Sequence, residues 1–389
     1  MTMDGPRFAI DGTDLRLLAQ AEAQRAALLA LIAGARRTLR LLYYIYADDG
    51  TGIAVRDALI AAAARGVRVW LLVDGFGSAD TADDFFAPLQ AAGGRICRFL
   101  PRFGRRYLLR NHQKMAIADE AQALIGGFNI ADAYFAGPEA DGWRDFGAVV
   151  AGRPVRYLAR YFDAVFGWAA LPRAPIGRLR RIIRRYSQRR GRVRWVMGGP
   201  TRRLSPWARA VAHDIQHGRR LDLIAAYFAP NFGLLRRIGR LARRHGAVRI
   251  VTAARSDNAT TIAAARHTYR RLLRRGARVF EYQPARLHTK LFVIDDIVYL
   301  GSANCDMRSL YLNCELMLRI EDGALAAHLR GYVDGEVAAS REARLDLLRA
   351  RAGWWTRLRW SFAYFLVAIV DFTVTRRLNL AAGSDAIAD

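Results

Sequence analysis

Lysine is almost missing from this chain of 389 residues: only Lys114 and Lys290 stand among 61 basic side chains that are otherwise arginine. Cysteine is nearly as scarce. Cys97, Cys305 and Cys314 form no CxxC pair. Three thiols cannot close a disulfide framework, so the expectation is a reducing compartment or at least a fold that does not rely on disulfides. No apolar run reaches the roughly 20 residues that a spanning helix needs; the nearest, Trp360 to Val370, is shorter. Met1 to Leu18 carries Asp4, Asp11 and Asp14 and lacks the apolar core of a secretory leader. Acidic residues are in deficit, 35 in all, and the formal charge is +26. Such a balance favours phosphate-rich partners, nucleic acid or anionic lipid, without choosing between them. What is plentiful, 52% hydrophobic and 25% charged residues, marks a globular chain. Its length suits two domains, each able to bury its own core.

The chain repeats itself. Arg40 to Tyr46 reads as a buried strand, Ile53 to Ala64 as a helix stopped by Gly66, and Val67 to Val73 as a second strand. The second half offers the same order: strand Leu221 to Phe228, helix Leu234 to Arg244, stop Gly246, strand Val248 to Val251. The two stop glycines are 180 positions apart. A further pair of strands is expected at Gly94 to Phe99 and Gly276 to Phe280. Strands alternating with helices imply an α/β layer architecture in each half.

Each repeat ends in the same motif. His112-Gln-Lys114 runs to Asp119 and is followed by Gly126-Gly127-Phe-Asn129; His288-Thr-Lys290 runs to Asp295 and is followed by Gly301-Ser302-Ala-Asn304. Both lysines of the chain therefore sit two residues after a histidine. With seven histidines present, chance would do this roughly three times in ten thousand. Period two puts each histidine and its lysine on one face of a strand. The aspartates fall at odd spacing and are expected to fix structure away from that face. Gly126-Gly127 and Gly301-Ser302 would let backbone approach a phosphate, and Asn129 and Asn304 would donate to its oxygens.

Two copies of H-x-K-x4-D followed by G-[GS]-x-N resemble the signature of the phospholipase D superfamily. That resemblance implies two α/β/α sandwich domains related by a pseudo-twofold axis, with both histidines in one site. It implies a phosphohistidine on one histidine and acid–base work by the other. His112, Lys114, Asp119, His288, Lys290 and Asp295 would be the catalytic motif residues. Gly127, Asn129, Ser302 and Asn304 would cradle the phosphate, with no metal or other cofactor required. Asp145 in Trp143-Arg-Asp145 and Glu315 in Asn313-Cys-Glu315 match the family's histidine-orienting acids, and the pairing implied is Glu315 to His112 and Asp145 to His288. Narrower words resemble the short form of bacterial cardiolipin synthases: Tyr43 to Asp49, Val73-Asp-Gly-Phe-Gly-Ser78, Glu281-Tyr-Gln-Pro284 and Asn304 to Leu310. Gly127 against Ser302 makes the two phosphate loops unequal, and the paired N-terminal spanning helices of the long form are not seen.

The implied partners are phosphatidylglycerol, with phosphatidylethanolamine as an alternative donor, and an anionic membrane surface. Nucleic acid is not expected as a partner, because basic strands interleaved with aromatics are not evident. A hydrolytic phospholipase D and a nuclease on the same fold are the rival activities. The domains are drawn at 1–172, a basic linker at 173–200, the second domain at 201–345 and an apolar aromatic tail at 346–389. The linker holds ten arginines between Arg173 and Arg194. Ile176, Leu179, Ile182, Ile183 and Tyr186 form a helical stripe that would face either the core, the favoured reading, or an anionic membrane. The tail, with Trp354, Trp355 and the run to Val370, would lie at a lipid interface or dock on the core. These features imply peripheral or monotopic attachment to the bacterial cytoplasmic membrane. His213 and His217, four apart, have the spacing of metal ligands on a helix, but no third ligand suggests itself.

Overall fold

A computed structural model of the chain describes residues 5–99, 109–201, 203–256, 259–346 and 353–366. It holds two eight-stranded sheets. The first runs, edge to edge, Arg7–Ile10, Thr13–Leu18, Gly147–Gly152, Gln122–Gly126, Met115–Ala118, Thr38–Tyr43, Arg68–Asp74, Arg95–Phe99. The second runs Val193–Met197, Leu316–Glu321, Ile297–Gly301, Lys290–Ile294, Arg220–Ala225, Ala247–Ala253, Arg278–Tyr282, Ser340–Ala343. Seven strands correspond one to one in the same spatial order, from Thr13–Leu18 against Val193–Met197 to Arg95–Phe99 against Arg278–Tyr282, which is the sequence repeat made physical. In each set three strands are mutually parallel and the motif strand enters antiparallel beside them.

Local sequence explains the repeat unit. Thr38–Tyr43 is buried at every position, as a strand covered on both faces must be. The helix after it, Gly50–Ala64, is capped by Asp49, whose side chain accepts the Gly52 N–H. Helix Phe232–His245 is capped in the same way by Asn231 and ends on Gly246, at φ +66°. Only a residue free of a Cβ penalty is comfortable there. The strand Val193–Met197 lies inside the segment drawn as a linker, yet it forms the edge of the second sheet against Leu316–Glu321.

Packing welds the halves together. Helices Ala21–Gly34 and Gly50–Ala64 cover the outer face of the first sheet, and helices Pro206–His217, Phe232–His245 and Ala259–Leu273 that of the second. The inner faces share one continuous core with helices Arg153–Ala169, Ile176–Tyr186 and Gly323–Ala338. In the linker helix, Ile176, Leu179, Ile182 and Ile183 are buried in that core. Burial of each such side chain stabilises by about 1.5–3 kcal/mol, so this stripe is not offered to lipid. Helix Trp354–Phe365 docks on Ala259–Leu273 through Tyr364, which is buried with Ala229 and Ala264. The later tail, with Val370, Asp371, Arg376 and Arg377, lies outside the described residues.

Candidate active site at the junction of the halves

The two motifs meet because each half lends backbone to the other. Asn111 bridges to Cys314 in parallel; the His112 N–H donates to the Cys314 carbonyl at 2.9 Å and the Cys314 N–H to Arg110 at 2.9 Å. Reciprocally, Arg286–Leu287 pairs in parallel with Trp143–Arg144, and the His288 N–H donates to the Arg144 carbonyl at 2.7 Å. Each histidine is thus clipped beside the acid of the opposite half.

The side chains follow. His112 Nδ1 lies 3.2 Å from Glu315 Oε2 and 3.1 Å from the Ser302 carbonyl. Both neighbours are acceptors, so Nδ1 carries the hydrogen and Nε2 carries a lone pair. Burial, then the Lys114 ammonium, hold the His112 imidazolium down at about 4. Burial raises the Glu315 carboxyl, but His112, Lys114 and Ser302 outweigh it and keep the group below the usual range. Ser302 Oγ donates to Glu315 Oε2 at 2.5 Å and Ser309 Oγ to Oε1 at 2.7 Å. Across the junction His288 Nδ1 lies 2.6 Å from Asp145 Oδ2. Among the described residues no hydroxyl donates to Asp145; its Oδ1 accepts the Phe146 N–H at 2.7 Å. Burial pushes this carboxyl up to about 7. One histidine therefore faces a firmly ionised acid, while the other shares a proton with an acid that gives it up near neutrality.

Lys114 is fully enclosed and donates to the His112 carbonyl at 2.6 Å; Lys290 donates to the His288 carbonyl. Burial drives the Lys114 ammonium well below its ordinary range, and its charge is felt by Glu315, Lys290 and Asp145 together. Two enclosed lysines that feel each other's charge suit a site for an anion, and a phosphodiester supplies one. Asn129 is buried, and its Oδ1 accepts the Ile45 N–H at 3.1 Å. Asn304 is 4% exposed, and its Oδ1 has no partner among the described residues. Aromatic rings wall the histidines: Tyr44 at 5.0 Å from His112, Tyr134 at 5.1 Å and Trp143 at 5.2 Å from His288.

The readings of Ser302 and Gly127 need correction; Asp119 and Asp295 belong to the motif yet lie away from the site, holding structure as their odd spacing leads us to expect. Each sits in the turn after its strand, at φ +54° and +47°. Asp119 accepts the N–H groups of Arg36, Arg37 and Thr38, and Asp295 those of Arg219 and Arg220. A turn, not strand alternation, takes them away. Ser302 is not free for phosphate, because its hydroxyl is committed to Glu315 and to the Leu316 N–H. Gly127 is defined by Asp145: a Cβ there would stand 2.4 Å from Oδ1. The unequal loops differ behind the histidines, in how each acid is held.

Sequence reasoning assigned no role to Ser309 or to Asp74. Asp74 accepts the Asn111 N–H at 2.6 Å and those of Phe76 and Gly77, so it shapes the chain just before His112. Both lie inside words quoted above, but nothing in their spacing marks them. The rings of His213 and His217 lie 4.3 Å apart, tilted by 41°, and no cluster of three or more potential metal ligands occurs among the described residues.

The family described as "Cardiolipin synthase, PLD-like domain" matches the chain twice, over residues 28–165 and 211–336. The chain belongs to this cardiolipin synthase family of phospholipase D-like proteins. It is 30% identical over 336 residues to cardiolipin synthase A of Pseudomonas entomophila (strain L48), covering 85% of this chain and 69% of that protein. It is 30% identical over 365 residues to cardiolipin synthase B of Escherichia coli (strain K12), covering 89% and 85%. Among solved structures, a phosphatidylserine synthase of Haemophilus influenzae Rd KW20 shares the fold, with a TM-score of 0.73, 14% identity, and coverage of 93% of this chain and 95% of that one. The two phospholipase D-like α/β domains implied by the repeat are thus present, and the enzyme class is that of a cardiolipin synthase-like phosphatidyltransferase.

Proposed function

We propose that the chain forms cardiolipin by moving a phosphatidyl group onto the terminal hydroxyl of phosphatidylglycerol through a phosphohistidine on His112. The unequal acid pairs behind the two histidines carry this reading. His112 is neutral, with Nδ1–H turned to Glu315 and Ser302, which leaves Nε2 to attack phosphorus. As the P–N bond forms, the P–O bond to the leaving glycerol breaks, and His288 gives that oxygen its proton. In the second half His288 takes the proton of the acceptor hydroxyl, the new P–O bond forms and the P–N bond breaks. Lys114, Lys290, Asn129 and Asn304 surround the phosphoryl oxygens and oppose the charge that grows in each transition state. Asp145, sharing its proton with His288, matches an acid that must become a base within one turnover.

The proposed place of action is the surface of the bacterial cytoplasmic membrane. No helix among the described residues is long and apolar enough to cross a membrane, which fits peripheral attachment. Vesicles of phosphatidylglycerol, alone or with phosphatidylethanolamine, should yield cardiolipin on incubation with the protein, read by mass spectrometry. Phosphatidic acid as the only product would make the chain a hydrolase. Turnover of a DNA oligonucleotide with no lipid product would move it to the nucleases of the fold.

A further inference from the structure

Helix Trp354–Phe365 is amphipathic in the wrong sense for a helix that merely closes a core. Its docked face holds Ala363 and Tyr364; Tyr364 Oη donates to the Pro230 carbonyl at 2.8 Å, and the ring stacks on His267 at 4.8 Å. The opposite face is apolar and bare: Trp354 is 63% exposed, Trp355 66%, Leu358 53%, Phe362 59% and Phe365 46%. At 3.6 residues per turn these five fall within one stripe about 100° wide. Five large apolar side chains in a single exposed row mark a docking surface and not ordinary surface scatter.

The neighbourhood says what docks. Helices Phe232–His245 and Ala259–Leu273, against which the tail helix lies, contain no acidic residue. Arg236, Arg240, Arg243, Arg270, Arg271 and Arg274 on or just after them are exposed. Partial burial and the like charges of Arg271, Arg243, Arg240 and Arg236 lower the Arg275 guanidinium. The apolar and basic surfaces meet at Phe232, itself 56% exposed, whose ring lies 6.0 Å from Tyr364 and under Arg271 at 5.7 Å. The helix also leads toward the chemistry. Its docked Tyr364 is buried with Ala229, whose strand Phe228–Ala229 pairs in parallel with Cys305–Asp306, directly after Asn304.

We infer that the stripe Trp354–Phe365 and the arginine face of helices Phe232–His245 and Ala259–Leu273 form one membrane-docking surface for a bilayer rich in anionic phospholipid, which seats the second half's phosphate loop at the headgroup layer. Aromatic side chains enter the interface while the arginines meet phosphates beside it. This deepens the lipid reading of the site and rests on it only for the choice of substrate. The Arg173 to Arg194 segment, whose apolar stripe is buried in the core, is not the anchor.

The test is flotation of the full chain with vesicles of phosphatidylcholine alone or with about a third phosphatidylglycerol. Three variants are compared with it: Trp355→Ser with Phe362→Ser; Arg240→Gln with Arg243→Gln and Arg271→Gln; and, as a control, Arg181→Gln with Arg184→Gln in the linker helix. Circular dichroism and thermal melting verify that each is folded. The intact chain and the linker control should float only with phosphatidylglycerol. Neutralising the three arginines should weaken binding on the order of a hundredfold. The aromatic variant should keep a salt-sensitive association and lose quenching of tryptophan by brominated lipid. The idea is overturned if the linker control loses binding while the other two keep it, if phosphatidylcholine alone suffices, or if a DNA oligonucleotide competes the protein off the vesicles. Turnover of a short-chain phosphatidylglycerol dispersed as monomers is measured in parallel. Failure there in the intact chain would count against the proposed reaction, while flotation would still decide the docking surface.

Discussion

Gly127→Ser would give the first half the hydroxyl that the second half has at Ser302, and the structure predicts damage. The new Cβ would stand 2.4 Å from Asp145 Oδ1 and 2.8 Å from Oδ2. Non-bonded contacts of this kind settle near about 3.5 Å, so the carboxylate must retreat by roughly 1 Å. It cannot do so alone, because His288 Nδ1 holds it at 2.6 Å and the Phe146 N–H at 2.7 Å. The imidazole moves with it. Misplacing a catalytic group by about 1 Å costs on the order of a hundredfold in rate, and overpacking an enclosed site costs about 1–3 kcal/mol of stability. The second half shows the remedy, since Ser302 Oγ reaches the longer Glu315 at 2.5 Å. Adding Asp145→Glu to Gly127→Ser should therefore recover at least about tenfold, whereas Asp145→Glu alone should be impaired. Initial rates of lipid product formation and calorimetric melting would be read together. A folded Gly127→Ser variant with the parent's rate, or a double variant no better than the single, would refute the coupling of loop and acid.

Other outcomes follow from the same geometry. His112→Ala and His288→Ala should each abolish turnover, and the pair should be no worse than either, because they act as a unit; a near-normal rate in one would break the shared site. An ordinary histidine nucleophile would lose activity as pH falls through about 6.5. His112, held at about 4, takes its proton later, so kcat/KM should persist to roughly pH 5 and then fall; an acid limb near 6.5 would contradict this. The alkaline limb should come from loss of the proton shared by His288 and Asp145, whose carboxyl burial pushes up to about 7; Asp145→Asn takes away the charge that holds the proton on His288, so the limb of the kcat/KM profile should move to lower pH. Asp119→Ala releases three backbone N–H groups near the surface. It should lower stability by about 1–2 kcal/mol and leave kcat of the folded protein unchanged, by denaturant melts and rates.

The repeat was legible because it is local. Strand, helix, stop glycine and strand recur with a spacing that side-chain periodicity and glycine conformation fix in each half, and the two lysines label the motif twice. The contact of Glu315 with His112, across 203 positions, came from family resemblance, since no local pattern encodes which backbone lies beside which. Ser302 and Gly127 show the limit most clearly. A glycine–serine difference in a phosphate loop reads as a difference in phosphate binding, and only the geometry reveals that it matches a short acid in one half and a long one in the other. Helix Trp354–Phe365 is a second case. Its composition suggests either a lipid interface or a docked helix, and the structure docks one face while leaving the aromatic one bare.

Every step of the proposed chemistry passes through a covalent intermediate on His112. The most direct measurement is acid-quenched turnover of a slow phosphodiester substrate, followed by peptide mapping of the phosphoryl adduct under conditions that preserve phosphohistidine. The adduct should map to the peptide bearing His112 and be absent from His112→Ala; with a phenolate leaving group, which departs without the proton of His288, it should be retained in His288→Ala, where only the second step stalls. An adduct on His288 alone would reverse the roles, and turnover with inversion at phosphorus and no adduct on either histidine would contradict the two-step mechanism altogether.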